Sequence, residues 1–264
     1  MANEQIRLGF IGFGNMAQAI ARGLVGAGAL SGERITACAA HFDKLQRTAK
    51  EIGVNAVETA AEVVEASDFI VIAVKPYLVE HVIEPVREAL AGKVVVSVAF
   101  GCYFDFFERI LDPSTHHIST IPNTPIAVGA GVVSCEQRHS LTEEEFAAFS
   151  DLFGQIALIE SMDTKLLSVA SDVSGWGPAF TALYVEALAD AAVKHGMQRP
   201  TAYRLASQMI VGTGKLQLAT GKHPGELKDA VCSPGGTTIK GVTQLEKSGF
   251  RGAVIDAIDA IENA

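Results

Sequence analysis

A glycine-rich turn near the amino terminus is the clearest chemical feature of the sequence. The apolar run ending at Ile11 leads directly into Gly12-Phe13-Gly14-Asn15-Met16-Ala17, which opens a helical pattern. In this G-x-G-x-x-A arrangement the first glycine permits a tight turn and the second leaves room for a pyrophosphate. The small third residue lets helix and strand pack closely. A pyrophosphate would lie at the positive end of the helix. The alternative is a purely structural turn, but this context predicts a dinucleotide site made by Gly12, Phe13, Gly14, Asn15 and Met16.

The end of the second predicted strand bears on which dinucleotide binds. An NAD site usually has an acidic residue there to hold the ribose 2′-hydroxyl. This strand ends Cys38-Ala39-Ala40-His41, and the nearest acid is Asp43. Lys44 and Arg47 follow and could face a 2′-phosphate, or they could lie on a solvated helix face. The pattern favours NADP(H) and leaves NAD(H) open.

Later strand ends supply further candidate cofactor residues, because ligands of open parallel sheets bind at the carboxyl ends of strands. Two stretches in such positions, 73–76 and 97–101, should border the cofactor. Lys75 could lie near the nicotinamide or the substrate, or could be an ordinary strand-end lysine. The turn Pro122-Asn123-Thr124-Pro125 closes the next strand and is either a stiff domain edge or part of the site. The candidates from these strand ends are Ala73, Val74, Lys75, Pro76, Ala99 and Asn123.

A second loop, far along the chain, has the composition of an anion site. Pro234-Gly235-Gly236 cannot continue a helix, and Thr237 or Thr238 can begin the next one. Such a turn presents consecutive N–H groups and hydroxyls at a helix amino terminus, where a carboxylate can bind. An ordinary capped turn is the alternative.

The elements that must position these residues differ between the two halves of the chain. The first half alternates β-branched runs with helical patterns, which predicts a parallel sheet with crossover helices. From residue 164 onward the patterns are helical. We therefore predict an α/β Rossmann-like dinucleotide-binding domain over residues 1–161 and an all-α domain over residues 162–264. The predicted strands are 7–11, 34–39, 69–74, 94–98, 117–121 and 131–135. The predicted helices are 17–25, 42–51, 59–66, 77–91, 103–111, 142–153, 178–195, 199–220, one after residue 236, and 252–262.

Composition and charge exclude several classes of protein. The 264 residues are 48% apolar and 19% charged, which is typical of a globular chain and not of a disordered one. The net charge of −9 argues against general binding to nucleic acid or to an anionic membrane. The four cysteines are widely spaced and the histidines show no metal-binding spacing, so reduced thiols and no metal are expected. Neither a signal-peptide layout nor a membrane-spanning run is present, which predicts a cytoplasmic protein.

With these features in place, the sequence resembles the pyrroline-5-carboxylate reductase family along nearly its whole length. The resemblance rests on GFIGFGNMAQAI from Gly9, AVKP from Ala73, PNTP from Pro122, SGWGPAF from Ser174 and EALADAAVKHG from Glu186. Its most specific part is LKDAVCSPGGTTIKGVTQLE, from Leu227.

The resemblance implies an enzyme that reduces the imine of 1-pyrroline-5-carboxylate with NAD(P)H, giving L-proline in the last step of proline biosynthesis. It implies a homodimer whose helical domains intertwine so that each active site is shared. Such dimers assemble into larger rings, for example a decamer of five dimers. It places Thr238 near the imine nitrogen as an orienting donor, with the proton coming from solvent or from an iminium already formed. The substrate-binding residues that it implies are Val231, Ser233, Gly235, Gly236, Thr237 and Thr238.

Two departures from the family pattern keep other functions open. Trp176 stands where the family usually has a small residue, which is either a packing change at a buried helix start or an altered substrate pocket. Ser119, Thr120 and Ile121 stand where the family often has an arginine and a methionine. The alternatives are a related dehydrogenase of the β-hydroxyacid type, a reductase of another cyclic imine, and a non-catalytic, dinucleotide-binding regulatory paralogue.

Overall fold

The computed structural model describes residues 6–263, which form two compact units divided after Gly175. The unit before this point is built around a sheet, and the unit from Trp176 onward is helical. The boundary predicted between residues 161 and 162 falls at the end of the last strand. Within the described residues, none of the helices is long and apolar enough to cross a membrane. The predicted fold class, α/β followed by all-α, is confirmed.

One eight-stranded sheet organises the first unit. Its strands are β1 (Leu8–Ile11), β2 (Ile35–Cys38), β3 (Asn55–Ala56), β4 (Phe69–Ile72), β5 (Val94–Ser97), β6 (His116–Pro122), β7 (Gly131–Glu136) and β8 (Ala157–Met162). The spatial order is β3-β2-β1-β4-β5-β6-β7-β8, and only β6 and β7 pair in antiparallel fashion. The six predicted strands are present, whereas the prediction missed β3 and β8. Since β1 lies between β2 and β4, the strand order reverses beside β1, and ligands of such sheets bind at this switch point.

The four central strands are buried along their whole length, which explains their nearly unbroken apolar sequences. Every residue of β1, β2, β4 and β5 is buried. Two separate apolar clusters cover the two faces of the sheet, one around Phe10 and Phe149 and the other around Ile72 and Phe107. A parallel sheet covered on both faces by helices has this composition. The sheet is therefore a rigid platform for the loops at its carboxyl edge.

The helices of the sheet unit follow the predictions except at two places. They are α1 (Asn15–Gly26), α2 (Phe42–Ile52), α3 (Ala60–Ala66), α4 (Val79–Ile83), α5 (Phe104–Ile110), α6 (Glu143–Phe153) and α7 (Leu167–Ser171). The short helix α7 was not predicted. The single helix predicted over 77–91 is wrong, because α4 has only five residues and short 3₁₀ segments lie on both sides of it. Pro85 explains the break, since proline has no N–H for the helical bond to the residue four positions earlier.

Five helices make up the second unit: α8 (Gly177–Lys194), α9 (Arg199–Thr220), α10 (Pro224–Ala230), α11 (Thr237–Lys247) and α12 (Phe250–Glu262). The prediction missed the short helix α10. The helix predicted from Pro178 is present as α8, which begins at Gly177 directly after a π-helical segment, Asp172–Trp176, that was not predicted. Trp176 has right-handed helical dihedral angles and is 51% exposed, so it does not lie at a buried helix start.

The helical unit has almost no interior of its own. Across α8 to α12 the buried residues are three small ones, Ala189, Ala202 and Ala206. Large apolar side chains of the same helices are instead exposed, among them Leu183, Leu205, Leu218 and Ile255. Burial of such side chains is the main favourable contribution to folding, so this exposed apolar surface is a candidate contact surface for a partner.

Candidate active site

The glycine-rich loop between β1 and α1 has a conformation that requires its first glycine. Gly12 has a φ of +90°, and a Cβ at this position would lie 2.7 Å from the carbonyl oxygen of Ala73. The Gly12 N–H donates to the carbonyl of Cys38 at 3.0 Å, and Gln18 Nε2 donates to the carbonyl of Phe13 at 2.9 Å. The loop is thus fixed against β2, against the end of β4 and against its own helix. The tight turn predicted for this glycine is present.

The second glycine opens onto free space at the start of α1. A Cβ built on Gly14 would meet no atom within 4 Å, so its lack of a side chain serves no packing need of the protein itself. Gly14 is the residue before the first turn of α1, and no side chain caps that turn. The first N–H groups of a helix have no partner within the helix. The open space at Gly14 and the unpaired N–H groups of α1 therefore lie at the same place, where a pyrophosphate would bind. Ala17, in the first turn of α1, is fully buried.

The loop borders a cleft of about 710 Å³ along the carboxyl edge of the sheet. Nine of the predicted cofactor residues line it: Gly12, Phe13, Gly14, Asn15, Met16, Ala73, Val74, Lys75 and Pro76. The predicted Ala99 lines it as well. Residues that the sequence analysis did not select also line the cleft, namely Gln18, Leu45, Thr48 and Leu78. The sequence spacing of these four residues does not mark them as cofactor residues, because only the folded chain brings them to the cleft.

On the β2 side the cleft is polar and partly basic. His41, Lys44 and Thr48 line this end, together with the small residues Ala39 and Ala40. Arg47, the other cation considered from the sequence, lies outside the lining among the described residues. No carboxylate borders this end within the described part of the chain. The arrangement suits a phosphate better than the ribose hydroxyl pair of NAD.

On the other side of β1 the cleft is mostly apolar. Val98 and Ala99 form its floor beside Ala73 and Val74, and the Ala99 N–H donates to Ser97 Oγ at 3.2 Å. Phe100 follows at the rim and is 49% exposed.

Asn123, predicted as a cofactor residue, has its side chain engaged within the protein. Its Oδ1 accepts a hydrogen bond from the Val132 N–H at 2.8 Å, and its Nδ2 donates to the Ser174 carbonyl at 2.9 Å. The residue is buried, and in the described residues it is Thr124, next to it, that lines the cleft. The amide of Asn123 thus joins the end of β6 to β7 and to the π-helical segment.

A buried carboxylate fixes the segment behind the apolar side. Glu136, at the end of β7, is 1% exposed. It accepts a hydrogen bond from the Phe104 N–H at 2.7 Å and another from Thr164 Oγ1 at 2.5 Å. A carboxylate at the amino end of α5 is favourable because it pairs with unsatisfied N–H groups. Burial raises the pKa of Tyr103, the residue just before α5, above its ordinary value. No local sequence pattern marks Glu136, because its partners are remote in the chain.

Thiol and metal chemistry find no support in the described residues. All four cysteines are free, and burial raises the pKa of Cys135 to about 12. Burial also raises the pKa of Cys38 and of Cys102. In residues 6–263 no three His, Cys, Asp or Glu side chains lie close enough together to hold a metal ion.

In the helical unit, the Pro-Gly-Gly loop forms the amino terminus of α11, as the sequence predicted. Gly235 has a φ of +67°, and the Gly236 N–H donates to the Ser233 carbonyl at 3.0 Å. A Cβ on Gly236 would approach within 2.4 Å of Ser233 Oγ, so only glycine leaves that hydroxyl in place. No side chain caps the first turn of α11, and Thr237 and Thr238 are exposed. The loop therefore offers free N–H groups and hydroxyls to an anion.

Comparisons with known proteins agree over both units. Residues 164–264 match the family described as pyrroline-5-carboxylate reductase dimerisation, and residues 7–101 match the family described as NADP oxidoreductase coenzyme F420-dependent. The chain is 41% identical to the pyrroline-5-carboxylate reductase of Treponema pallidum (strain Nichols), covering 97% of this chain and 98% of the relative. It is 40% identical to the Escherichia coli (strain K12) reductase over 96% and 94%. A Plasmodium falciparum pyrroline carboxylate reductase, solved with NADP bound, superposes with a TM-score of 0.85 at 29% identity, covering 98% and 96%.

Proposed function

The chain belongs to the pyrroline-5-carboxylate reductase family, and on that premise we propose that it reduces 1-pyrroline-5-carboxylate to L-proline with NADPH. It is then an oxidoreductase that acts on a C=N bond, in the last step of proline biosynthesis. The observation that carries the proposal is the open space at Gly14, directly in front of the uncapped amino end of α1. The residues present thus fit a dinucleotide, whose reduced nicotinamide supplies the hydride when bound.

The chain's own residues then have separable tasks. Gly12 to Met16 hold the pyrophosphate, and Ala73, Val74 and Ala99 provide a small, apolar surface for the nicotinamide side. We propose that the loop of Val231, Ser233, Gly235, Gly236 and Thr237 binds the substrate carboxylate through N–H groups and hydroxyls. The imine carbon gains a hydride and the imine nitrogen a proton.

We propose that Thr238 donates a hydrogen bond at the imine nitrogen and so orients the ring. A threonine hydroxyl is too weak an acid to protonate the imine itself, so the proton comes from solvent or from an iminium already formed. In the described residues, no aspartate or glutamate lines the cleft that could donate the proton instead.

The direct test follows the loss of NADPH absorbance with and without 1-pyrroline-5-carboxylate, together with identification of the product. We expect substrate-dependent oxidation with L-proline formed. NADPH binding without turnover would contradict the proposal and would favour a regulatory paralogue or a reductase of another cyclic imine.

We further propose that NADP(H) is preferred over NAD(H) because Lys44 meets the 2′-phosphate. Lys44→Ala should raise KM for NADPH about ten-fold, the size expected for one charge-assisted hydrogen bond, and leave KM for NADH unchanged. Arg47→Ala is the matched control, since this exposed cation of the same helix lies outside the cleft lining. Equal effects of Lys44→Ala on the two cofactors would show that Lys44 does not read the phosphate.

The chain carries a dimerisation domain, and we propose that it works as a homodimer with intertwined helical domains and an active site shared between protomers. The exposed apolar side chains of α8, α9 and α12 support this, as does a depression of about 510 Å³ along one face of α9. It is lined by Tyr203, Arg204, Ser207, Gln208 and Val211. We also propose that the dimers assemble into a larger ring, for example one of five dimers, and that the protein is cytoplasmic.

Assembly makes a prediction for stability. Because the helical unit buries three alanines on its own, its unfolding should be coupled to dissociation. We expect Tm to rise steadily with protein concentration, and sedimentation velocity to give no species below a dimer at micromolar concentrations. A Tm independent of concentration, with a monomer in solution, would contradict the proposed dimer.

A further inference from the structure

Phe100 is an unusual residue for the place it occupies. It follows β5 at the carboxyl edge of the sheet, lines the cleft and leaves 49% of its surface exposed. Its neighbours in that wall are smaller and better covered, since Ala99 is 4% exposed. Leaving a phenylalanine ring in water forgoes the free energy of burying it. An exposed ring in a cleft is therefore a candidate contact for an apolar ligand surface.

The Phe100 ring packs against a second aromatic side chain. Tyr103 packs edge-on against Phe100, with ring centroids 6.4 Å apart and an interplanar angle of 72°. The turn between the two rings uses Gly101, whose φ is +81°. The next residue, Phe104, gives its N–H to the buried Glu136. Phe100 is thus presented by an anchored segment, which reduces the entropy lost when a ligand binds.

Its position in the cleft indicates which part of the reactants it meets. The pyrophosphate loop follows β1, and His41 and Lys44 line the β2 side, which suits the adenosine phosphate. The β4–β5 side is then left for the nicotinamide and for the substrate, whose imine carbon must lie close to it. Ala73, Val74, Ala99 and Phe100 line the cleft there, and Phe100 is the exposed residue among them.

We propose that Phe100 is a substrate-contacting residue that packs against the ring methylenes of 1-pyrroline-5-carboxylate and limits the size of the ring accepted. The inference rests on the proposed function. In that function the carboxylate and the imine nitrogen have polar partners, whereas C3 and C4 of the ring have none. An aromatic side chain at the rim supplies the apolar surface that these methylenes need.

Phe100→Ala is the principal test, with NADPH affinity measured separately. Each methylene removed from water contributes a factor of about four, so losing contact with two should raise KM for the substrate roughly 15-fold. Phe100→Leu keeps part of the apolar surface and should show a smaller rise. Fluorescence titration should give an NADPH Kd within about two-fold of wild type, since the residues that hold the pyrophosphate are unchanged. Calorimetric titration of L-proline into the NADPH-loaded protein should show the same weakening without turnover, because both ligands are already reduced and no hydride acceptor is present.

Tyr77→Ala provides the matched control. Tyr77 follows Pro76 and is 81% exposed, yet it lies outside the cleft lining in the described residues. We expect its removal to change neither KM nor the Kd of NADPH. A rise in KM in this variant equal to that in Phe100→Ala would overturn the inference.

Ring size gives a second readout. In Phe100→Ala, the ratio of kcat/KM for the six-membered homologue 1-piperideine-6-carboxylate to kcat/KM for the five-membered substrate should be higher than in the wild type. If wild-type turnover is normal but Phe100→Ala changes neither the substrate KM nor the ratio of kcat/KM for the two ring sizes, the proposed role of Phe100 is wrong. The proposed function of the protein would then still stand. A rise in NADPH Kd with substrate KM unchanged would overturn the role of Phe100 too, since the ring would then contact the cofactor. Failure of the wild-type protein to reduce 1-pyrroline-5-carboxylate would overturn the proposed function and this inference together.

Discussion

Gly14→Val should leave the protein folded and remove its affinity for NADPH. The position has no neighbour within 4 Å, so the new side chain meets no protein atom. Its methyl groups would instead fill the space in front of the first turn of α1. We expect the NADPH Kd, measured by fluorescence titration, to rise at least about 100-fold, because the phosphates lose access to the helix N–H groups.

Substitutions of two other glycines serve as comparisons for Gly14→Val. Gly26→Ala, at the far end of the same helix and also without neighbours, should bind NADPH like wild type. Gly12→Ala should instead destabilise the fold, since a φ of +90° costs an alanine about 1–2 kcal/mol and its Cβ would lie 2.7 Å from the Ala73 carbonyl oxygen. If Gly14→Val bound NADPH normally, the dinucleotide would not lie at this loop.

Thr238→Ala should reduce turnover with little change in cofactor affinity. The variant removes the hydroxyl proposed to meet the imine nitrogen and leaves the backbone donors of the Pro-Gly-Gly loop in place. We expect kcat to fall roughly 100-fold, the size seen when one positioned donor to a reacting centre is removed. The NADPH Kd should stay near the wild-type value because the cleft residues are untouched.

Thr243→Ala is the control for Thr238→Ala. Thr243 lies in the same helix, and its hydroxyl donates to the carbonyls of Ile239 and Lys240, so its role is internal to α11. Turnover in this variant should match wild type. Unchanged turnover in Thr238→Ala would remove that hydroxyl from the mechanism.

The parts of the fold that the sequence predicts are those set by local chemistry. Gly12 stands out because its backbone conformation admits only glycine. Gly14 stands out because a glycine there leaves open space in front of α1, and both glycines lie between a strand and a helix. The buried strands are recognisable because a parallel sheet covered on both faces needs unbroken apolar runs. The Gly235-Gly236 turn is recognisable for the same local reason.

The parts that the sequence did not predict depend on partners far along the chain. Glu136 bonds to Phe104, 32 residues earlier, and to Thr164, 28 residues later, so no local pattern marks it. The edge strand β8 is defined by its pairing with β7. Thr48 lines the cleft only because α2 returns beside β2. The helix predicted over 77–91 differs from the structure for a local reason, since Pro85 interrupts the helical hydrogen bonds there.

The three-alanine interior of α8 to α12 also has a consequence for how the protein is made. During synthesis the sheet unit leaves the ribosome first, and its apolar clusters are complete before α8 emerges. In the proposed homodimer, the helices that follow bury their apolar side chains only after two finished chains have met. Maturation then becomes a second-order process, in which the waiting time of a new chain lengthens as expression falls. Throughout that interval the exposed helices are open to chaperones and proteases, so the yield of active enzyme should fall more steeply than the rate of synthesis.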